Sequence, residues 1–221
     1  MPTISPIKGR VYRLVKVDSC GVPVTGASSA VFVSKFVQVQ QSPVYEDGEE
    51  FLVKNADGTF CVNEADDDQF KRMQLTIDLC AVDPLMLATT LGARVLDVGS
   101  PLVTGAGFAL AEGANTGHFS LELWQNVAGA SACDESGNQQ YLYSAWPHVY
   151  SGRIGDYTVG NAVSQFQIVA KTKSASALWG SGPGSGTSWI SPDVTEAGDH
   201  WLAAVTTEEP PEVTDGAVLL T

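Results

Sequence analysis

Between Arg72 and Gly92 the hydrophobic and polar positions obey two periodicities in succession. Met73, Leu75, Ile77 and Leu79 alternate with Arg72, Gln74, Thr76 and Asp78, the period of two of a strand with one buried and one wet face. From Asp83 the pattern changes to that of a helix over about 84–91. The Asp83 carboxylate can accept from an orphan backbone N–H. Pro84 suits the first helical position, where its missing N–H is not needed, and Gly92 can take the left-handed stop. Such a cap is worth about 1 kcal/mol. Leu87 and Leu91, at i and i+4, give the helix an apolar stripe to lay on a sheet. No other stretch reads as a helix, so the pattern predicts an all-β chain with one short helix.

The remaining elements follow from the same reading. Residues 1–9 read as an extended arm, with Pro2 and Pro6 opposing regular structure. A first strand runs from Val11 to Val17, with Val11, Val15 and Val17 on one face. A second runs from Ala30 to about Gln41 with a phase change near Lys35, which predicts a bulge or a strand buried on both sides. Phe51–Asn55 and Thr59–Asn63 flank Asp57-Gly58, a dipeptide suited to the positive φ of a tight hairpin turn. Further strands are expected near Phe108–Leu110, around Phe119, Leu121 and Leu123, over Gln140–Tyr150, over Ala162–Lys173 and over Trp201–Thr207. In the Ala162–Lys173 strand Phe166 and Ile168 are expected inward, with Gln165, Gln167, Lys171 and Lys173 outward. Residues 126–138, 152–156 and 174–192 read as connections. The domain is therefore expected over 10–207, followed by a tail over 208–221 that is extended or disordered, in which Val218, Leu219 and Leu220 could dock on a neighbour.

Charge adds one feature. The 221 residues carry a net charge of −13, concentrated in two places. Residues 44–68 hold nine acidic side chains and one Lys; from Asp193 onward there are seven acids and no base. Glu46, Asp47, Glu49, Glu50, Asp57, Glu64, Asp66, Asp67 and Asp68 thus surround the hairpin, which should project, because burying that charge density is costly. Holding nucleic acid is a poor fit, since phosphate binding depends on Lys and Arg.

Candidate chemistry is sparse. There is no G-x-S-x-G, P-loop, H-E-x-x-H or EF-hand pattern. Cys20, Cys61, Cys80 and Cys133 form no C-x-x-C pair and read as reduced thiols; Asp134, Ser136 and Asn138 read as a turn. His118, His148 and His200 are isolated from one another in the sequence. No catalytic residue, metal ligand or cofactor site is assigned. Trp124, Trp146, Trp179, Trp189 and Trp201 read as core or interface residues; a carbohydrate-binding β-sandwich using them, and a hydrolase with a dispersed triad, are the competing readings. The first residues lack a signal-peptide core and no run reaches the length of a membrane span, so synthesis and initial residence in the cytoplasm are expected.

Several stretches together resemble the major tail tube proteins of long-tailed bacteriophages, especially those infecting actinobacteria. They are Asp18-Ser-Cys-Gly-Val-Pro-Val-Thr-Gly26, Ser42-Pro-Val-Tyr-Glu-Asp-Gly-Glu-Glu50 leading into Val53-Lys-Asn-Ala-Asp-Gly58, Cys80-Ala-Val-Asp-Pro-Leu85, Leu121-Glu-Leu-Trp124, Gly152-Arg-Ile-Gly-Asp-Tyr-Thr158 and Trp179-Gly-Ser-Gly-Pro183. The resemblance spans about residues 8–205. It implies two packed β-sheets forming a sandwich or barrel with one flanking helix. It also implies six-subunit rings stacked into a virion tail tube, assembled in the bacterial cytoplasm, through which DNA passes without specific binding. Tape-measure, tail terminator and distal tail proteins are the further partners it implies. By this comparison Tyr45 to Asp68 is the candidate ring-to-ring contact, with Lys8, Arg10, Arg13 and Lys16 as possible basic partners. Gln74, Thr76 and Asp78 are candidate lumen-facing residues. The tail after Glu208 departs from the family pattern.

Overall fold

A computed structural model describes residues 4–24, 26–96, 107–113, 117–129, 132–157, 166–176, 179, 196–210 and 212–213, with residues 27–28 and 217–220 described by their backbone alone. Along the chain come β1 (Ser5–Lys16), β2 (Gly26–Val33), β3 (Phe36–Glu46), β4 (Glu50–Lys54), β5 (Phe60–Ala65), β6 (Gln69–Leu79), α1 (Pro84–Leu91), β7 (Arg94–Leu96), β8 (Gly107–Ala109), β9 (His118–Ala128), β10 (Tyr141–Ile154), β11 (Phe166–Thr172), β12 (Leu202–Thr206) and β13 (Ala217–Leu220). The fold is mainly β with one short helix, as the pattern predicts.

The helix ends where its caps place them. Asp83 Oδ1 accepts from Leu85 N at 2.8 Å, and Gly92 closes the last turn at φ 68°. Met86, Leu87 and Leu91 are fully buried, and each such side chain contributes about 1.5–3 kcal/mol. Packing therefore outweighs the cap. The buried Thr89 and Thr90 hydroxyls return to the Leu85 and Met86 carbonyls, leaving no polar group stranded.

Most strands join one antiparallel sheet in the order β13-β2-β1-β9-β10-β11-β6-β3, with β12 pairing the first half of β10. β6 shows the expected alternation: Leu75, Ile77 and Leu79 are buried, and Gln74, Thr76 and Asp78 are not. The sheet curls. β9, β10, β11 and β6 lie between β1 and β3 in strand order, yet Tyr12 and Phe36 meet edge-to-face at 5.2 Å. Two stretches of one sheet thereby pack on each other, a sandwich-like arrangement enclosing Leu14, Leu75, Ile77, Phe119, Leu121 and the buried side of α1. A second cluster, with Trp124, Tyr143, Trp179 and Leu202, covers the opposite face of β9 and β10. Val11 to Val15 are consequently all buried, and β1 is covered on both sides.

Four expectations are corrected. Residues 5–9 belong to β1, where register shifts against β9 accommodate the irregularity around Pro6. The single strand expected over 30–41 is two, because β2 pairs β1 while β3 crosses to β6; the expected irregularity lies at the start of β3, where the register shifts between Phe36 and Gln38. Gly152 to Ile154 continue β10, paired with β11, and are no connector. Residues 217–220 of the tail form β13 on the free edge of β2 in the same chain. A short hairpin of β7 and β8 holds Phe108, close to the expected place. Residues 162–165 and Trp189 lie outside the described residues.

Candidate functional site: a projecting hairpin and an open sheet edge

Beyond Gln41 the β3–β6 pair leaves the core. Its residues 42–46 and 69–72 are exposed or half-buried. Tyr45 packs edge-on against Phe70 at 5.9 Å, and Lys71 pairs with Glu46. That ion pair holds the Glu46 carboxyl below its ordinary range, but both side chains are exposed and solvent screens the attraction. At the neck Gly48 N donates to Asp68 Oδ1 at 3.0 Å and Asp66 N to the Glu49 carbonyl at 3.0 Å. A Cβ on Gly48 would stand 1.8 Å from the Asp66 carbonyl oxygen, so only glycine allows this approach.

Past the neck, β4 and β5 form their own two-stranded sheet, with every residue exposed. The turn places only Gly58 at positive φ, +88°; Asp57 instead accepts from Thr59 N and Oγ1, which lowers its carboxyl pKa. Cross-strand register puts Phe51, Val53 and Val62 on one face; the register shift at Cys61, which pairs Phe60 with Lys54, puts Leu52 and Phe60 on the other, each of the five being 39–54% exposed. Neither face is covered. A lone hairpin is marginal in water, and apolar groups on both its faces are those of an element completed by contact with something else. The resemblance implies the contact over Tyr45 to Asp68, and the sequence pattern marks only its acids; it does not single out these apolar side chains, which read only as strand formers.

The acids divide. Glu46, Asp57 and Asp68 are engaged within the ribbon. Among the described residues no hydrogen bond or ion pair engages the carboxylates of Asp47, Glu49, Glu50, Glu64, Asp66 or Asp67, all of them exposed. The basic residues do not form a patch. Lys8, Arg10 and Lys16 are exposed, but Lys8 and Lys16 are separated by about 26 Å of strand. Arg13 is corrected: it is buried and paired with Glu122, and is unavailable to a neighbouring subunit.

Gln74, Thr76 and Asp78 share the core-averted face of β6. Their register partners are Ser42, Gln40 and Gln38 on β3 and Lys171, Val169 and Gln167 on β11. Asp78 accepts from Gln38 Nε2 at 2.6 Å and from Gln167 Nε2 at 3.0 Å. Beside its amides and hydroxyls this face carries Asp78 and three bases, Arg72 on β6, Lys171 on β11 and Arg153, the β10 partner of Val169. The far edge of β3 carries no partner strand among the described residues.

Trp124, Trp146 and Trp179 are buried in the cores, while Trp201 is 40% exposed, so these four do not form a platform on one open surface. The histidines are corrected as well: His118 Nδ1 and His148 Nε2 lie 2.9 Å apart, and His200 Nδ1 lies 2.7 Å from Thr172 Oγ1. The four cysteines are free and exposed, and Asp134 caps its own turn through Ser136 N and Asn138 N. Among the described residues no group of three or more His, Cys, Asp or Glu side chains is placed to hold a metal ion, and no helix is long and apolar enough to cross a membrane. Compared with protein-family models and with curated proteins, the chain matches none.

Proposed function

We propose that the chain is a structural subunit that assembles with copies of itself into stacked rings, forming a hollow tube of the kind found in the long-tailed bacteriophages it resembles. The observation that carries this reading is the β4–β5 hairpin, whose apolar side chains are uncovered on both faces. Docked into an adjacent ring, those five half-exposed side chains would contribute about 1 kcal/mol each. That is comparable to or less than the cost of immobilising one subunit against another, roughly 4–15 kcal/mol. A single hairpin is therefore too weak to hold a pair, whereas the several hairpins of one ring act together and favour ring-on-ring growth. The open edge of β3 supports lateral joining of sheets, which would remove an otherwise hazardous edge.

In this reading the assembled subunit resides in the virion tail. Its partners are further copies of itself and the tape-measure, terminator and distal tail proteins that the resemblance implies, with double-stranded DNA in transit. Negative-stain electron microscopy of concentrated protein across a salt series tests it, since acidic subunits repel until screened. Uniform hollow rings or tubes are expected, and their loss in a Phe51→Ser, Phe60→Ser variant. Monodisperse monomers across the whole series, or normal tubes from that variant, would overturn it.

A further inference from the structure

His118 opens β9, and His148 sits in the β10 bulge between Trp146 and Val149, where the register against β9 shifts. Their ring centroids are 5.2 Å apart; the 2.9 Å nitrogen separation and the two ring radii account for this whole distance. The two ring nitrogens thus point at each other, the geometry of a shared proton rather than of two ligands converging on one ion. His148 is almost wholly buried. In the neutral pair one facing nitrogen carries the shared proton and the other accepts it, and the donor ring keeps one lone pair on its outward nitrogen.

This order makes the two protonation steps unequal. A first proton taken by the outward nitrogen of the donor ring leaves the ring-to-ring bond intact. A second can enter only at the facing nitrogen of the acceptor ring, and it sets two N–H groups against each other between two cationic rings. The charged and titratable groups facing the pair are Asp18 from the turn after β1, Lys173 from the end of β11 and Tyr150 from β10; Cys20 lies in the same turn. Asp18 favours the cations. Burial and Lys173 oppose them in both rings, and for His148 the His118 charge adds to that opposition, holding His148 at about 4.

The pair also ties three segments together. Val17 N donates to the His118 carbonyl, and Lys173 N to the His148 carbonyl. Gly21, at φ +83°, presses on the His148 ring, where a Cβ would stand 2.9 Å from Nδ1. We propose that the His118–His148 pair is an acid-operated latch, closed while the rings share one proton and opened by the second, which releases the Asp18–Val22 turn and the Ser174–Ser176 segment from the sheet. This inference stands independently of the assembly reading.

Amide exchange of the full-length protein at about pH 7 and about pH 4, corrected for intrinsic rates, tests it. Protection of the Gly21, Val22 and Lys173 amides is expected to fall at least tenfold while Leu75 and Ile77 keep theirs. In His148→Gln, whose amide can accept from or donate to His118 without charging, the fall is expected to vanish. An equal fall in that variant, or none in the wild type, overturns the latch. Should the variant not fold, imidazole nitrogen resonances of the wild type decide. Two unequal steps, with the lower accompanied by shifts of the turn amides, support the latch, and independent titrations near the ordinary histidine value overturn it.

Discussion

Arg13 on β1 and Glu122 on β9 stand directly opposite each other in the sheet and form a buried ion pair, with Arg13 Nη2 donating to Glu122 Oε1 at 2.7 Å. Tyr143 donates to the same oxygen at 2.9 Å, and the guanidinium lies 5.8 Å from the Trp124 ring. Burial pulls the guanidinium pKa down, but the Glu122 charge overrides it and Arg13 stays ionised. Burial and that same carboxylate push the Tyr143 phenol up. Removing one partner should cost more than removing both. Glu122→Ala strands a cation and a phenol, and a loss of about 3–5 kcal/mol is expected in urea unfolding. The double variant Arg13→Met, Glu122→Leu should lie within about 2 kcal/mol of wild type. Equal losses from the single and double variants would count against this account.

The same pair separates folding from assembly. Reversing Lys8, Arg10 and Lys16 to Glu should leave the unfolding midpoint nearly unchanged, since exposed positions shift stability by about 0.5 kcal/mol or less. It should nonetheless weaken tube growth, judged by microscopy, if these bases meet the unengaged acids of another ring. Arg13→Glu should instead abolish cooperative unfolding, because it places two carboxylates together in the core.

The hairpin gives a kinetic expectation. Residues 50–65 are all exposed and contribute nothing to the core, so their amides should exchange near intrinsic rates in the monomer and become protected in the assembled state. Strong protection in a verified monomer would contradict an uncovered hairpin.

Helix α1 offers a local measurement. Asp83→Ala removes the acceptor for Leu85 N and is expected to cost about 1 kcal/mol. Gly92→Ala, at φ 68°, should cost about 1 kcal/mol as well. Met86→Ala should cost about 2–5 kcal/mol, since it opens a cavity beneath Tyr12, whose hydroxyl reaches Met86 Sδ at 3.1 Å. Thermal melts of the three variants would rank packing above capping, or refute that order.

Acid should destabilise the fold before its carboxylates titrate. His148 is held at about 4 in the folded chain against an ordinary 6.5. Between those values the unfolded chain binds the extra proton, so stability falls as pH drops through the window. His200, lowered by burial, acts in the same direction. Urea midpoints should therefore decline from about pH 7 to about pH 4.5. The decline should be smaller in His148→Gln, which lacks the main titrating ring.

The parts of this fold governed by neighbours in sequence are legible in the sequence. The alternation of Met73 to Leu79, the Asp83-Pro84 start and the Gly92 stop each express a local rule, and each is found in place. The boundary between β2 and β3 is not local: a break and a bulge give the same phase change at Lys35, and only the partner strands place each of them. Likewise nothing in Arg13 or Glu122 alone announces a pairing across 109 positions. His118 and His148 meet because Tyr150 is the register partner of His118, a fact belonging to the β9–β10 pairing. At the hairpin the density of acids points to electrostatics, while exposure identifies Phe51, Leu52, Val53, Phe60 and Val62 as the unpartnered surface.

The neck at Gly48 divides the chain into two regimes of constraint. On the body side, substitutions are judged by the core they must fit. Beyond the point where Gly48 meets the Asp66 carbonyl, residues 50–65 are all exposed, and contacts such as Lys54 over Phe60 or Thr59 with Asp57 stay within the hairpin. Apart from Gly58 and the turn bonds of Asp57, variation in residues 50–65 can therefore accumulate at little cost to the core. Compensating changes should be sought on whatever surface the hairpin meets, so the hairpin and its receptor would drift as a matched pair while the body stays fixed.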